Sequence, residues 1–334
     1  MDDGSTDGSG TLCDTLKKEY PKLHVVHQAN AGVSSARNAG LKMAFELAGN
    51  ACSQSYVTFL DADDFWHPGI LNDDFMGSSD ADVIAFSTID CDGKGKRFRF
   101  VPGYEKENLD VPERGTIEWI CKGHLGAHLF QMGFLKAFDL RFIDGCKYNE
   151  DVIFMKQAFF CAAKMCFLPE HLYVYRRNMQ SATHNDAAMR TGLFDLAEAW
   201  LSLRDWPAQF PVFSEEAKER WKAAIETLVG ARTLEALTLV LGMGDCFDEI
   251  LCEIRSRGLD VYLNRLTEKD LADWQKEDLK LFREAPERLY HKYRKKWIRI
   301  RAARFLMKRF PMVNAFYERK RFPVQDLTQK TSGT

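Results

Sequence analysis

The stretch Tyr56-Val57-Thr58-Phe59-Leu60-Asp61-Ala62-Asp63-Asp64 decides the fold class, because a run of strand-forming residues ends abruptly in acids. The β-branched and aromatic residues at 56–60 predict a short buried strand. Such a strand delivers Asp61 and Asp63 at its carboxyl end, where open α/β sheets bind ligands. If strand geometry persists, both carboxylates lie on one side and suit Mg²⁺ or Mn²⁺. The alternative interpretation is a helix cap formed by Asp63 or Asp64.

On either side of this stretch, residues 1 to about 180 alternate strand-like and helix-like segments, which is the α/β pattern. Long helices follow from about 187 to 280, and a last helix is predicted from Glu287 to Arg309, where Pro311 stops it. The predicted strands are His24–Gln28, Tyr56–Leu60, Asp82–Ser87, Arg97–Val101 and Leu172–Arg176. The predicted helices before the last one are Val33–Leu47, Asp151–Ala163 and Glu215–Leu241.

Charge is distributed unevenly along the 334 residues. The whole sequence has 46 Lys+Arg and 48 Asp+Glu, a net charge of −2. Residues 283–321 hold 14 basic and 3 acidic residues, a balance of +11, which leaves −13 for the rest. This tail is either a solvated basic helix that closes the helical region or a segment that lies on anionic lipid.

The composition excludes several classes of protein. Nine scattered cysteines without a C-x-x-C pair argue against a disulfide framework and a zinc ribbon. A pI near 6.5 argues against a general nucleic-acid binder. The sequence has no apolar run of about 18 residues, and its acidic start is unlike a signal peptide. We therefore expect a cytoplasmic protein.

Two glycine-containing motifs precede the strand at 56–60. The first, Asp2-Asp3-Gly4-Ser5-Thr6-Asp7-Gly8-Ser9, matches a calcium loop only in part, because position 12 is Asp14 rather than Glu and no entering helix precedes it. The second, Asn30-Ala31-Gly32-Val33-Ser34-Ser35-Ala36-Arg37-Asn38-Ala39-Gly40, leads into a helix. A helix N-terminus with a nearby arginine suits a diphosphate.

Two further pairs of side chains are candidates for chemistry. Glu150 and Asp151 begin a predicted helix, where acids also favour the helix dipole without any catalytic role. His124 and His128 have the i, i+4 spacing that holds a metal from one helical face. Ordinary packing or an acceptor contact are the alternatives for this histidine pair.

In this order, the motifs resemble those of the bacterial family 2 glycosyltransferases of the GT-A fold. The resemblance covers residues 1 to about 185 and rests on D-D-G-S-T-D-G-S, N-A-G-V-S-S-A-R-N-A-G, F-L-D-A-D-D-F-W, Y-N-E-D-V-I-F, Y-V-Y-R-R-N and S-A-T-H. It implies an α/β fold for this part, with a Rossmann-like mixed sheet and helices on both faces, in an N-terminally truncated GT-A domain at 1–185. Periodicity and charge predict that an α-helical C-terminal region follows. It consists of a helical domain at 186–282 and a basic tail at 283–334, which is membrane-associating in the second of the two interpretations above.

The resemblance also implies site residues. The general base corresponds to Asp151. The nucleotide-sugar donor is contacted by Asp3, Ser5, Arg37 and Asp61, and the metal, Mn²⁺ or Mg²⁺, by Asp63. The acceptor side or the segment that closes over the donor includes Glu150, His128, Arg176 and His184.

The implied activity is an inverting, metal-dependent transfer of a sugar from a UDP-sugar or related donor. The acceptor is a saccharide or a lipid-linked precursor of cell-surface polysaccharide, at the cytoplasmic face of the membrane. However, the family normally has a strand, a helix and a second strand before D-D-G-S, whereas this sequence starts at the motif. A truncated, non-catalytic sugar-nucleotide-binding or scaffold protein is therefore the alternative. A metal-dependent phosphatase with Asp61 as nucleophile would need a lysine and further acids in a different order.

Overall fold

The structure is a computed structural model, and it describes residues 1–68, 80–101, 107–110, 124–146, 149–177, 203, 206–244, 246–268 and 271–323. The chain divides into two compact units. The first unit contains residues 1–90 and 100–175, and the second contains residues 91–99 and 176–334.

The described elements follow the expected change from mixed to helical structure. The strands are β1 (Asp2–Asp3), β2 (His27–Gln28), β3 (Tyr56–Val57), β4 (Phe65–Trp66), β5 (Val83–Cys91), β6 (Phe98–Val101), β7 (Glu107–Asp110), β8 (His128–Gln131) and β9 (Lys164–Arg176). The helices up to residue 176 are α1 (Ser9–Glu19), α2 (Val33–Ala48), α3 (Met132–Ala137) and α4 (Glu150–Cys161). Those after it are α5 (Glu215–Met243), α6 (Phe247–Ser256), α7 (Leu259–Arg265), α8 (Asp273–Glu284), α9 (Pro286–Arg309) and α10 (Pro311–Arg321).

The strands of the described ranges form two sheets. β1 and β2 pair in parallel, with Asp2 opposite His27 and Asp3 opposite Gln28. The larger sheet has the order β3-β8-β5-β9-β4, and β6 pairs with β5 while β7 pairs with β9. The pairs β3–β8, β5–β8, β4–β9 and β7–β9 are antiparallel. The predicted α/β class, with mixed strand directions and a helical C-terminal region, is confirmed.

Around the acidic stretch, the structure corrects the sequence-based expectation. Pairing with β8 ends at Val57, so the strand is shorter than Tyr56–Leu60. The following acids lie in a turn, in which the Asp64 N–H donates to the Asp61 carbonyl at 3.1 Å. Strand alternation therefore does not set the directions of Asp61 and Asp63. The helix-cap alternative is also wrong, because the next element is the strand β4.

Two other predicted strands differ in length from the observed ones, because the partner strands set their ends. The strand predicted at His24–Gln28 is reduced to β2, whose partner β1 has only two residues. The strand predicted at Leu172–Arg176 extends back to Lys164, where β7 pairs with it. The helix predicted at Glu287–Arg309 is confirmed, and Pro311 begins the separate helix α10.

A cluster of phenylalanines packs α4 against the rest of the first unit. Phe154 stacks on Phe142 with ring centroids 4.3 Å apart and an interplanar angle of 7°. Its ring also meets Phe130 of β8 at 5.3 Å and Phe59 at 5.6 Å, both edge-on. Such aromatic pairs add to the stabilisation from burial. They hold the start of α4 against the loop that carries the acidic stretch.

The second unit is built around the 29-residue helix α5. A buried cluster joins leucines and isoleucines of α5, α6, α7 and α8 to α9, where Leu289 and Tyr293 take part. Trp297, one turn further along α9, is also buried. Among the described helices, none is long and apolar enough to cross a membrane.

Candidate functional site

Arg37 joins two acidic motifs that are far apart in the sequence. Its Nη1 donates to Glu150 Oε1 at 2.6 Å, and its Nη2 donates to Asp61 Oδ1 at 2.8 Å. The guanidinium also lies 5.3 Å from the centroid of the Phe142 ring. Because the Arg37 and Glu150 side chains are only 13% and 10% exposed, the charge-assisted bond between them is poorly screened by solvent, whereas the bond to Asp61 is screened more. A fixed cation therefore links the acidic stretch at 61–64 to the start of α4.

Two polar neighbours of Arg37 on α2 hold the segment before α4. Ser34 is buried, and its hydroxyl donates to the Cys146 carbonyl at 3.1 Å. Asn38 makes two bonds with the backbone of Phe142: its Nδ2 donates to the carbonyl and its Oδ1 accepts from the N–H, both at 2.9 Å. Positions 34, 37 and 38 share one helical face. Ser34 and Asn38 were not among the predicted site residues, although the S-x-x-R-N spacing that they form with Arg37 predicts the shared face.

Glu150 is a buried acid of the site. Burial raises its pKa, the charge of Asp151 raises it further, and Arg37 partly opposes both effects. Asp151 is half-buried in the first turn of α4, and its Oδ1 accepts from the Val152 N–H at 2.8 Å.

The three acids of the acidic stretch lie in different environments. Asp61 has a side chain that is 49% exposed, Asp63 is half-buried and Asp64 is buried. The Tyr173 hydroxyl donates to Asp64 and lies 3.5 Å from Asp61 Oδ2. Burial, and then the charge of Asp61, raise the pKa of Tyr173, so the phenol stays protonated and can donate.

Gly126 makes the approach of Tyr173 possible. A Cβ at position 126 would lie 2.0 Å from a carbon of the Tyr173 ring and 2.6 Å from the Phe59 carbonyl oxygen. These distances are well inside van der Waals contact, so only glycine leaves room for the phenol beside Asp64.

Negative charge is concentrated around the ring of Tyr175. Burial raises the pKa of Tyr175, and the charges of Asp64, Asp63, Asp90 and Asp61 raise it further. In the part of the chain that the structure describes, no three His, Cys, Asp or Glu side chains lie close enough to hold a metal ion by themselves. Asp61 and Asp63 offer carboxylate oxygens, which fit Mg²⁺ or Mn²⁺ when phosphate oxygens complete the coordination. Mg²⁺ sites often use one or two carboxylates together with substrate phosphates.

Asp3 holds the turn that enters α2. Its Oδ1 accepts from the Ala31 N–H at 2.9 Å and from Gln28 Nε2 at 2.7 Å, and its Oδ2 accepts from the Gly32 N–H at 2.9 Å. The Ala31 hydrogen bond is the main cause that lowers the pKa of Asp3. Ser5 is exposed, and its N–H donates to Asp2 Oδ1 at 3.0 Å. Gln28, which donates to Asp3, was not among the predicted site residues.

His128 lies in the core of the first unit. Residues 125–127 form a 3₁₀ turn and His128 begins β8, so the predicted helical face for the pair with His124 is wrong. The His128 Nδ1–H donates to the His124 carbonyl at 3.0 Å. Burial lowers its pKa to about 4, and its Nε2 has no hydrogen-bond partner among the described residues. A buried neutral imidazole of this kind fits packing better than metal binding.

Of the two remaining predicted site residues, the structure describes one. Arg176 is the last residue of β9, is half-buried and belongs to the second unit. His184 lies outside the described residues.

Comparison with known proteins identifies the first part of the chain. The family model described as "Glycosyl transferase family 2" matches residues 1–139. The uncharacterized glycosyltransferase EpsJ of Bacillus subtilis is 26% identical over 193 residues, which cover 55% of this chain and 53% of EpsJ. The glycosyltransferase GlyG of Streptococcus pneumoniae is 29% identical over 212 residues, which cover 60% of this chain and 64% of GlyG.

The chain thus spans less than two thirds of the length of these two relatives. A solved structure of S. aureus TarS 1–349 in complex with UDP-GlcNAc superposes with a TM-score of 0.44 at 18% identity, covering 78% of both chains. The family match and the two glycosyltransferases EpsJ and GlyG thus make residues 1–139 similar to glycosyl transferase family 2.

Proposed function

We propose that the chain is an inverting glycosyltransferase that moves a sugar from a nucleotide-sugar donor, a UDP-sugar, to an acceptor. The acceptor class is a saccharide or a lipid-linked precursor of cell-surface polysaccharide. The observation that carries the proposal is the contact of Arg37 with both Asp61 and Glu150, because it brings separate acidic motifs to one place in the first unit. The match of residues 1–139 to glycosyl transferase family 2 supports the same reaction class.

The reaction requires a base and a stabilised leaving group. In our proposal, Asp151 accepts the proton of the acceptor hydroxyl while that oxygen bonds to the anomeric carbon. The bond from this carbon to the diphosphate breaks, and the diphosphate leaves with the electron pair. A single displacement inverts the configuration. Arg37 holds Asp61 and Glu150 in place and thereby positions the acidic stretch beside α4.

Asp63 is the residue that would hold Mn²⁺ or Mg²⁺, with Asp61 next to it near the ribose. The ion would neutralise charge on the leaving diphosphate. The concentration of carboxylates around Tyr175 supports this assignment, because a divalent cation would relieve their mutual repulsion.

Asp3 is assigned to the nucleotide base. Its carboxylate accepts three hydrogen bonds from the turn at 28–32. A carboxylate has about four acceptor positions, so one remains for an N–H of the base. The three bonds keep the group ionised and fixed in direction, while Ser5 lies on the exposed side of the same loop.

Donor binding tests the proposal directly. Isothermal titration with a panel of UDP-sugars, with and without Mn²⁺, should show binding that depends on the metal and is lost in Asp63→Ala. Asp80→Ala is the matched control, because Asp80 is an exposed carboxylate of the same unit that pairs with Lys164. If a folded wild-type chain binds no UDP-sugar under either condition, the donor-site assignment is wrong.

Turnover separates an enzyme from a binding module. Asp151→Asn should retain donor affinity but lower the rate of UDP release with oligosaccharide or lipid-linked acceptors by about 10²- to 10⁴-fold. Glu170→Gln, an exposed acid of β9, should leave the rate unchanged. Donor binding by the wild type without turnover on any of these acceptors would contradict the transferase and favour a non-catalytic sugar-nucleotide-binding protein.

A further inference from the structure

The helix α9 changes character after Trp297. Before this point its buried side is formed by Leu289, Tyr293 and Trp297, one residue per turn, which face the core of the second unit. After it, apolar side chains on the described part of the helix reach solvent: Ile298 is 54% exposed and Phe305 is 66% exposed. About one half of the helix is therefore packed, while the other half presents apolar side chains to solvent.

The same exposure continues into α10. Phe310 between the two helices is 50% exposed, and Met312 and Phe316 are 86% and 72% exposed. We call this set of apolar side chains the tail surface. Its members are Ile298, Phe305, Leu306, Phe310, Met312 and Phe316. Single exposed apolar residues are ordinary, but a concentration on two consecutive helices indicates an interaction site.

Positive charge surrounds the tail surface. Residues 298–321 contain eight basic residues and one acidic residue. The exposed members with described side chains are Arg299, Arg301, Arg309, Arg319 and Lys320. A partner must therefore accept apolar side chains and carry negative charge over an extended area.

An anionic bilayer surface meets both requirements. Helices that lie in the membrane interface place bulky apolar residues at the boundary between headgroups and acyl chains, while Lys and Arg reach the phosphates. Neither α9 nor α10 is apolar enough to span a bilayer, so the helices would lie along its surface. Charge complementarity thus favours lipid over an uncharged apolar partner.

We propose that the tail surface binds anionic phospholipid bilayers, with Phe305 and Phe316 inserted in the interface and Arg299 and Arg301 at the headgroups. This inference does not depend on the proposed transferase activity, because the groups that carry it all lie in the second unit. Its test is a binding measurement that requires neither donor nor acceptor.

Co-sedimentation of the full chain with vesicles tests the charge requirement. Vesicles of phosphatidylcholine with 30% phosphatidylglycerol should bind the chain, and vesicles of phosphatidylcholine alone should bind much less. Each basic residue near an anionic surface strengthens binding roughly fivefold. Arg299→Gln with Arg301→Gln should therefore weaken binding roughly 25-fold. The matched control, Arg255→Gln with Arg265→Gln, removes the same charge from exposed positions on α6 and α7 and should have little effect.

A second pair of variants tests the apolar requirement. Phe305→Ala with Phe316→Ala should weaken binding on the order of tenfold, since part of each ring leaves water on binding. Trp274→Ala is the control, because Trp274 is 48% exposed but lies on α8, away from the tail surface in sequence. Circular dichroism should show the same helix content for all variants.

Three results would overturn the proposal. The first is equal binding of the wild-type chain to both vesicle compositions. The second is an equal loss of vesicle binding in the tail variants and in their controls. The third is a concentration-dependent dimer, detected by sedimentation velocity, that dissociates in Phe305→Ala with Phe316→Ala while vesicle binding is absent. That result would assign the tail surface to contact between copies of the chain.

Discussion

Glu150 is a buried carboxyl group held by one cation, and its protonation should affect stability. Its folded-state pKa lies above the ordinary value of 4.5, mainly because of burial. The folded chain therefore binds more protons than the unfolded chain as pH rises above 4.5, and the free energy of unfolding falls until pH passes the folded-state pKa. Glu150→Gln removes this titration. We expect the stability of the variant, relative to wild type, to improve as pH rises from 4.5 to 7.5.

Urea unfolding at several pH values measures this difference. Glu268→Gln, at an exposed position, reports the general effect of removing one acid. The assigned pKa shift of Glu150 would be contradicted if the difference in unfolding free energy between Glu150→Gln and wild type stayed constant with pH. A change of this difference in the opposite direction would contradict it as well.

At the scale of elements, side chains of α2 hydrogen-bond to the segment 142–146, which leads into α4. Asn38 satisfies both the N–H and the carbonyl of Phe142, which is itself buried. Asn38→Ala leaves these backbone groups without their partner, which should cost about 1–3 kcal/mol of unfolding free energy. Amide hydrogen exchange at Phe142 should become faster even under conditions in which the rest of the unit stays protected.

Asn264→Ala is the control for this prediction, because Asn264 is exposed on α7. We expect its effect on stability to stay within about 0.5 kcal/mol. If amide exchange at Phe142 were unchanged in Asn38→Ala, packing of the phenylalanine cluster would hold the segment 142–146, and the hydrogen bonds of Asn38 would not.

At the scale of the whole molecule, each of the two units has its own core. The core of the second unit contains a fully buried acid, Asp278. Asp278 accepts from the Tyr293 hydroxyl and from Lys292 Nζ, the latter at 2.9 Å, and so ties α8 to α9. Asp278→Ala removes both bonds and leaves a buried phenol without this acceptor. We expect a loss of roughly 2–3 kcal/mol, read as faster amide exchange in α8 and α9.

The matched control is Asp248→Ala, at an exposed position in the first turn of α6. Its effect should be several times smaller, limited to the helix dipole. Equal effects of the two substitutions would mean that apolar packing alone joins α8 to α9.

Local features of the sequence predicted much of the fold. The change from alternating elements to long helices, the start of a helix near Asp151 and the break at Pro311 depend on periodicity and on neighbouring residues, and all three are found. The motif order predicted the family whose model matches residues 1–139. Short strands were less predictable, because the lengths of β2 and β3 depend on the partner strands rather than on their own residues.

By itself, the sequence determined which chemical groups the chain carries and on which elements most of them lie. Only the tertiary structure decided that Arg37 meets Asp61 and Glu150, that Asp64 is buried beneath Tyr173, and that Gly126 leaves the space for it. These contacts join residues up to 113 positions apart. Propensity and spacing act over a few residues, whereas such distant meetings follow from the packing of the whole core.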